Sequence, residues 1–509
     1  MTNNYDYIYT ALADIAGLSL FVTVRESPPL AALRDLLEDL SDDKDDDEFV
    51  QVSSAMRDII SDWASFTAAF VQCPGGRAGQ DRRDYSFYLI IARLALADDN
   101  PYTHAAEQYQ NIPPALAAMA RTDLSRLGRL AAFEIHSLGF HIAETLRKNG
   151  LEAAAQNIEE ESRVFYAEGK KGLTEKSNPL LAVFPEDANW GASLPTVTEY
   201  LRRNGAGFMN QHHSFYWMPP AAEDIDATAI FFPSAVLSLS LRPARNPDPV
   251  RLADLYGYEQ QRSVVIANTL RLLEGGYANN LLLYGDRGTG KSATVKAVAA
   301  EYADRGLKLL EAGKEDLPRL TALLDLLAGR SLKFIIFIDD ISFETTDDSF
   351  RGLKALLEGG IERRPANVVI YATSNRRHLV KERLNDRPTS EAAANAATSG
   401  DMRAFDTMQE QFSLADRFGL TVIYASPGQE EYLRIAEHIA ERRGLLSPSV
   451  LNVTNPGFPD TPDEEHNRFR ENALKWEKWF NGRSPRTAAQ YVDWAASGGK
   501  GGGIKFPWE

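Results

Sequence analysis

The chain has 509 residues, of which 44% are hydrophobic and 25% charged, so it is long enough for two to four domains with packed cores. Its formal net charge of −16 argues against a general binder of polyanions, because a phosphate backbone rewards a large basic surface. The single cysteine, Cys73, excludes an intramolecular disulfide and a cysteine-based zinc cage.

Two further features bear on the location of the protein. Residues 1–6 lack the basic start and the apolar core of a signal peptide. No apolar stretch approaches the ~20 residues that a membrane-spanning helix needs. We therefore expect a cytoplasmic protein that has no membrane partner.

The first third of the chain carries a helical pattern. Apolar residues recur at three- and four-residue steps, which is the spacing of one face of an α-helix. These stretches are 8–38, 49–72, 84–98, 114–147 and 150–166. We therefore predict a mainly α-helical N-terminal domain over residues 1–175.

The composition then changes. Residues 176–250 are rich in proline and aromatic side chains, and we interpret them as a connecting region. Within it, we interpret the aromatic run 214–217 as a packing surface between domains, with a binding patch as the alternative. The proline-rich segment 243–249 has the composition of a linker and marks the boundary with the next domain.

The second half alternates between apolar runs and helical stretches. The runs are 281–284, 307–310, 334–338, 367–372 and 420–424. This alternation predicts an α/β fold with a parallel five-stranded sheet that helices cover on both faces. We assign this core to 251–428, a helical lid to 429–497 and a flexible glycine-rich tail to 498–509.

A complete G-x-x-x-x-G-K-[ST] segment lies between the first of these runs and a helical stretch. Its glycines let backbone N–H groups turn toward phosphates, and the start of the following helix adds a positive dipole end. We expect Lys291 to reach the β- and γ-phosphates of ATP and the Ser292 hydroxyl to ligate Mg²⁺. The predicted nucleotide-binding residues of this segment are Gly285, Asp286, Arg287, Gly288, Thr289, Gly290, Lys291, Ser292 and Ala293.

A buried strand that ends in carboxylates is the second motif. Five apolar residues, 334–338, precede Asp339 and Asp340, and ligands bind at the carboxyl ends of such strands. We predict that Asp339 holds Mg²⁺ and that Asp340 is the general base for the attacking water. Glu344 is a rival base, because Asp340 is one methylene shorter than the usual glutamate.

Four polar side chains complete the candidate site. Asn375 follows the fourth apolar run, where an amide can bond both the γ-phosphate and the attacking water. Arg417, just before the fifth run, is expected to neutralise transition-state charge from a neighbouring subunit. Arg483 and Arg486 stand at a helix start near the C-terminus, and either one is placed to reach back over the phosphates.

Together these motifs resemble those of AAA+ ATPases. The phosphate loop resembles Walker A, residues 335–340 resemble Walker B, and Asn375 resembles sensor 1. Arg417 resembles the arginine finger and Arg486 the sensor 2 arginine. More narrowly, four strings are similar to the domain-of-unknown-function 815 (DUF815) family, a bacterial group of predicted AAA+ ATPases. These strings are 279–292, 338–344, 373–379 and 416–420.

This resemblance covers about residues 245–497. It implies binding of ATP and Mg²⁺, a nucleotide-binding core with a helical lid, and ring-like or open homo-oligomers. It also implies that Tyr256 and Gly257 lie in the turn that contacts the adenine. The polar insertion 385–406 departs from the idealised pattern and is placed to displace Arg417 from a subunit interface.

Three functions are compatible with these motifs. The first is an oligomeric ATPase that remodels or regulates a protein partner held by the helical N-terminal region. The second is a slow ATP-dependent switch, adaptor or nucleic-acid loader with little turnover, and the third is a P-loop kinase. Seven basic residues within 361–387 suit nucleic acid, but they also surround a predicted subunit interface, so nucleic acid is not the favoured partner.

Overall fold

The computed structural model divides the chain into two compact units. The residues that it describes are 6–41, 49–72, 86–108, 111–174, 179–186, 189–220, 233–341, 357, 364–375, 417–446, 464–480 and 482–498. The first unit lies within 1–213 and also takes in 329–332, and the second lies within 214–328 and 333–509. The domain limits drawn from the sequence stay predictions.

The first unit is helical, as predicted. Its helices are α1 (Asp6–Ala16), α2 (Val22–Arg25), α3 (Pro28–Ser41), α4 (Phe49–Gln72), α5 (Phe87–Ala97), α6 (Pro101–Gln108), α7 (Pro114–Ala131), α8 (Ile135–Lys148), α9 (Glu152–Thr174), α10 (Pro179–Val183), α11 (Leu194–Asn204) and α12 (Phe208–Gln211). Residues three and four apart share one face of a helix. On α3, for example, Leu30, Leu33 and Leu37 are all fully buried, so the apolar spacing of the sequence directly builds the core.

Aromatic side chains organise one part of this core. Trp190 stacks on Phe184 with ring centroids 4.2 Å apart. Its indole N–H donates to the hydroxyl of Tyr88 at 2.8 Å, and that hydroxyl donates to the carbonyl of Pro185 at 2.8 Å. The buried polar tips of these two rings are thereby satisfied, which removes the cost of burying them.

A short piece of chain from the second half completes the first unit. Residues 329–332 belong to this unit, although they come between helix and strand segments of the other unit in the sequence. Arg330 pairs with Glu107 on α6 at 2.8 Å, and their side chains are 3% and 0% exposed. Ser331 donates its hydroxyl to the carbonyl of Arg202 on α11 at 2.6 Å. Two consecutive residues of the segment are therefore fixed by polar contacts within this unit.

The second unit contains a seven-stranded sheet. Its strands are β1 (Ser214–Trp217), β2 (Leu241–Pro243), β3 (Leu281–Gly285), β4 (Leu307–Ala312), β5 (Lys333–Ile338), β6 (Val368–Ser374) and β7 (Leu420–Tyr424). They lie in the order β2-β1-β4-β5-β6-β3-β7. All neighbouring strands are parallel except β1 and β2. Every residue of β3 and β6 is buried, as expected of parallel strands covered on both faces.

The prediction of five strands was wrong by two, although the five predicted runs all form strands. β1 and β2 extend the sheet beyond β4, within the stretch that we interpreted as a connecting region. In β1, Phe215 and Trp217 are buried and Tyr216 is exposed, which is the alternation of a strand. The aromatic run 214–217 is therefore part of the sheet.

Helices flank the sheet and follow it. They are α13 (Pro233–Ser240), α14 (Glu259–Leu273), α15 (Lys291–Glu301), α16 (Leu320–Leu327), α17 (Gln429–Arg442), α18 (Glu464–Trp479) and α19 (Pro485–Gly498). The last three share an apolar cluster of their own, in which Tyr432, Trp476 and Tyr491 are buried. This cluster is the helical lid that was predicted after the sheet.

Among the described residues, no helix combines the length and the apolar character that crossing a bilayer demands.

The buried pair of Glu107 and Arg330 yields a stability prediction. Glu107→Ala is expected to lower the free energy of unfolding by about 3–5 kcal/mol, because Arg330 would lose its carboxylate inside the protein. Urea unfolding followed by circular dichroism measures the change. The matched control is Glu199→Ala, which removes surface pairs with Arg202 and Arg203 and is expected to cost under about 1 kcal/mol. Equal costs for the two variants would contradict the importance of the buried pair.

Candidate nucleotide-binding site

Three strands deliver polar residues to one edge of the sheet. β3 ends in the phosphate loop, β5 ends before Asp339 and Asp340, and β6 ends before Asn375. β6 lies between the other two and is parallel to both. Because the carboxyl ends of parallel strands meet at the same edge, the structure brings these predicted residues together.

The phosphate loop leaves β3 through a position where only glycine fits. Gly285 has a φ of 143°, and a Cβ there would lie 1.9 Å from the carbonyl oxygen of Tyr424 on β7. A Cβ on Gly288, which has a φ of 77°, would lie 2.8 Å from the hydroxyl of Ser484 in the lid. The loop is therefore packed between β7 and the lid. The remaining predicted residues of this segment lie in the loop or in the first turn of α15: Arg287, Thr289, Gly290 and Ala293.

Lys291 is buried inside this loop. Its ammonium group donates to the carbonyl oxygens of Gly285 at 2.9 Å and Asp286 at 2.6 Å. Burial lowers the pKa of Lys291 to about 8, although nearby carboxylates, including Asp339, act in the opposite direction. A cation held by neutral carbonyls gains a stronger, charge-assisted contact when a phosphate replaces them.

The predicted magnesium ligand is held by two hydroxyl groups. Ser292 donates to Oδ1 of Asp339 at 2.6 Å, and Thr373 donates to the same oxygen at 2.5 Å. Thr373 is 1% exposed, and its hydroxyl also accepts the backbone N–H of Asp340 at 2.8 Å. The sequence reasoning missed Thr373 as a site residue. The available signal was a hydroxyl next to the end of a buried strand, beside the strand that carries the two aspartates.

The predicted base and the predicted sensor amide touch each other. Asn375 donates from Nδ2 to Oδ1 of Asp340 at 2.5 Å. Asp340 has a φ of 53°, a left-handed conformation that aspartate tolerates better than most residues. The backbone N–H of Ile341 donates to the carbonyl of Thr373 at 2.7 Å, which ties the chain after Asp340 to β6.

The oxygen donors at this edge fit magnesium. Mg²⁺ prefers oxygen ligands in octahedral geometry and is usually held by one or two carboxylates together with substrate phosphates and water. The Ser292 hydroxyl and the Asp339 carboxylate are already in contact with each other. These two groups would hold a bound Mg²⁺ ion, with phosphates and water supplying its other ligands.

The predicted adenine turn lies beside the first lid helix. Tyr256 stacks on His438 of α17 with ring centroids 4.5 Å apart. A pocket of about 430 Å³ adjoins the turn. Its lining residues come from the turn and from α17: Tyr256, Gly257, Glu259, Glu430, Glu431 and Arg434. A base bound there would be covered by the lid.

The two lid arginines have different surroundings. The backbone N–H of Arg486 donates to the carbonyl of Gly288 at 3.2 Å, and its positive charge adds to the lowering of the pKa of Lys291. Arg483 instead donates from Nε to Glu477 at 2.9 Å. Of these two residues, Arg486 is the one whose backbone contacts the phosphate loop.

Two predicted residues are not brought to the phosphate loop. Glu344 lies outside the described residues, as does the insertion 385–406. Arg417 is half-buried and lies three residues before β7, whereas Tyr424, at the other end of β7, touches the loop. A strand of this length separates its two ends by roughly 15 Å. Arg417 is therefore at the wrong edge of the sheet to reach the phosphate loop of its own chain.

The family model described as Protein of unknown function (DUF815) matches residues 227–499, which is more than half of the chain. The chain belongs to this family. The DUF815 match spans the sheet from β2 onward, the phosphate loop and the lid, so it covers every predicted site residue. The mostly parallel sheet, the phosphate loop and the helical lid give this DUF815 protein a P-loop NTPase fold.

Comparisons with other proteins add little to the family assignment. A search of curated proteins found no match for the DUF815 chain. Among solved structures, it is similar to a mutant RuvB from Thermotoga maritima, with 16% identity over 49% of this chain and 65% of that one and a TM-score of 0.29. It is also similar to PCH-2 from C. elegans, with 18% identity over 48% of this chain and 65% of that one and a TM-score of 0.32. In both cases the match covers 65% of the solved structure, which is slightly less than two thirds.

The hydroxyl of Thr373 yields the first prediction for this site. Thr373→Val keeps the shape of the side chain but removes the hydrogen bonds to Asp339 and Asp340. The Mg²⁺ concentration needed for half-maximal nucleotide binding is expected to rise by about tenfold. Calorimetric titration with ATP at several Mg²⁺ concentrations measures it. The control is Ser374→Ala, because that buried hydroxyl donates to the carbonyl of Ile341 and not to a carboxylate. An unchanged Mg²⁺ dependence in Thr373→Val would contradict the assigned role.

The pKa of Lys291 yields the second prediction for this site. Below pH 8 the ammonium is charged and the affinity for ATP is expected to be constant, because the lowered pKa is about 8. Above pH 8 the proton is lost, and each further pH unit is expected to reduce the affinity by up to about tenfold. Calorimetry from pH 7 to 9.5 measures this. Lys291→Arg should show no such step, because a guanidinium stays charged over this range, and a flat profile in the unaltered protein would refute the prediction.

Proposed function

We propose that this chain is a Mg²⁺-dependent ATPase of the AAA+ type that hydrolyses ATP in order to remodel or regulate a partner protein. One observation carries the proposal. At the carboxyl edge of the sheet, Asp339 is held by hydroxyls from the phosphate loop and from β6, while Asp340 is bonded to Asn375. The proposed metal ligand, Asp339, and the proposed base, Asp340, are therefore both held by hydrogen bonds at the edge of the sheet where the phosphate loop begins.

The phosphate loop would bind the triphosphate through its backbone N–H groups and Lys291. The ammonium of Lys291 would exchange the carbonyls of Gly285 and Asp286 for the β- and γ-phosphates. Ser292 and Asp339 would hold Mg²⁺. A bound Mg²⁺ ion would neutralise the charge that develops on the β- and γ-phosphate oxygens.

Asp340 and Asn375 would act on the attacking water. A water near both side chains can donate a proton toward the carboxylate of Asp340 and be oriented by the amide of Asn375. The present hydrogen bond between these two groups keeps them at one location before the substrate arrives. Asn375, Arg417 and the lid arginines suit the activation of water between subunits, which favours hydrolysis over a kinase reaction.

A second subunit would complete the site. Arg417 lies before β7, at the end of that strand away from the phosphate loop of its own chain, which supports a role in the site of a neighbouring subunit. A guanidinium supplied from a neighbouring subunit stabilises the charge of the transition state in phosphoryl transfer. We therefore propose a homo-oligomer in which two neighbouring subunits build each site. We also propose that it is located in the cytoplasm. The helical first unit is the proposed surface for the protein partner.

The base assignment gives the decisive test. Asp340→Asn is expected to keep ATP binding and to lower kcat by about 10²–10⁴-fold, because it removes the proton acceptor. Its matched variant is Glu344→Gln, the rival base, which should hydrolyse ATP at a normal rate. Phosphate release measures turnover and calorimetry measures binding. The opposite pattern would assign the base to Glu344 and leave the ATPase proposal standing.

Three controls separate the ATPase from its alternatives. Lys291→Ala should abolish ATP binding, which ties turnover to this loop. Hydrolysis in ¹⁸O-labelled water should place the label in the released phosphate, whereas its absence would indicate a kinase. The rate per subunit should rise with protein concentration and fall in Arg417→Ala. Tight ATP binding with negligible turnover at every concentration would instead indicate a nucleotide switch or loader.

A further inference from the structure

Asp286 places a carboxylate inside a loop that binds anions. A negative charge beside the triphosphate opposes binding unless the carboxylate is directed elsewhere, because like charges at close range repel. Asp286 is half-buried in the structure. Its backbone N–H donates to the carbonyl of Tyr424 at 3.2 Å, which fixes the start of the loop on β7.

The carboxylate of Asp286 is held by one residue beyond β7. Oδ2 accepts the hydroxyl of Ser426 at 2.6 Å and also the backbone N–H of Ser426 at 3.2 Å. Both donors converge on one carboxylate oxygen, and hydrogen bonds to a charged group are about twice as strong as neutral ones. The side chain of Asp286 is therefore committed to this contact.

Ser426 occupies the linker between the sheet and the lid. The linker is 425–428, with β7 before it and α17 after it. Tyr258 also contacts the linker, because its hydroxyl donates to the carbonyl of Ala425, the residue before Ser426, at 2.6 Å. Pro427 is buried and has a fixed φ, which stiffens the rest of the linker. A contact to Ser426 thus determines where α17 begins.

The lid also meets the phosphate loop at a second point. α17 and α19 pack together in the lid cluster, where Tyr432 of α17 and Tyr491 of α19 are buried. At the start of α19, Arg486 donates its backbone N–H to the carbonyl of Gly288. Since α17 and α19 share one core, a displacement of the linker would be carried to Arg486 through their packed side chains.

We propose that Asp286 and Ser426 are positioning residues that lock the linker onto the phosphate loop and thereby hold the lid arginine, Arg486, at the phosphates. The proposal rests on the proposed ATPase, since Arg486 matters only where ATP is hydrolysed. It assigns to Asp286 a role distinct from phosphate contact. Its carboxylate faces the linker, and the loop backbone is left to bind the nucleotide.

Steady-state kinetics test this role. Ser426→Ala is expected to lower kcat about tenfold, which is the loss of one charge-assisted hydrogen bond, and Asp286→Ala at least as much, because it also removes the acceptor of the backbone N–H of Ser426. The KM for ATP should change by no more than about threefold, because the phosphate-binding groups remain. The double variant should be no slower than Asp286→Ala alone, because that substitution already removes both hydrogen bonds. Ser426→Thr keeps the hydroxyl and should recover most of the lost kcat.

A second measurement, made in the absence of nucleotide, reports how firmly the first lid helix is held. Amide hydrogen exchange in the first turn of α17, residues 430–433, should be faster in Ser426→Ala than in the unaltered protein. The control for both measurements is Ser263→Ala, whose exposed hydroxyl donates only to the carbonyl of Gln260 within α14. It should change neither kcat nor exchange in α17.

The outcomes separate this inference from the ATPase proposal. If the unaltered protein hydrolyses ATP while Ser426→Ala and Asp286→Ala keep its kcat, the positioning role is refuted and the ATPase stands. Additive losses in the double variant, or unchanged exchange in α17, also refute it. If the unaltered protein neither binds nor hydrolyses ATP, the ATPase proposal fails and the positioning role fails with it.

Discussion

The arrangement of the site depends on the hydrogen bonds that the carboxylate of Asp339 accepts. Asp339 follows β5, yet the hydroxyls that hold it come from Ser292 after the phosphate loop and from Thr373 on β6. One oxygen atom therefore ties together segments from three strands of the sheet. The parallel pairing of the strands makes this possible, because it places the ends of β3, β5 and β6 at one edge.

The lid adds a second constraint to the same loop. Gly285 admits no side chain because the backbone of Tyr424 lies against it, and Gly288 is similarly close to Ser484. The loop is thus confined by β7 on one side and by the lid on the other. A nucleotide that enters this space must be accommodated by both, which connects phosphate binding to the position of the lid helices.

Much of this arrangement can be predicted from sequence because parallel strands are buried on both faces. The apolar run that becomes β6 is unmistakable, and the polar residue after it, Asn375, necessarily falls at the carboxyl edge. β1 escaped prediction because it is four residues long and its buried aromatic residues also suit a packing surface. Thr373 was missed because a single hydroxyl near the end of an apolar strand is a weak signal, and only the contact with Asp339 gives it a role.

The segment 329–332 has a consequence for biosynthesis. The first unit includes these residues, and its buried Glu107 meets Arg330 only through them. The ribosome must therefore translate the whole stretch 214–328 before the helical unit receives its last piece. An uncompensated buried carboxylate is costly, so the nascent helices should remain unfinished until the strands β1 to β4 have emerged. The two halves of the polypeptide would then mature together rather than one after the other.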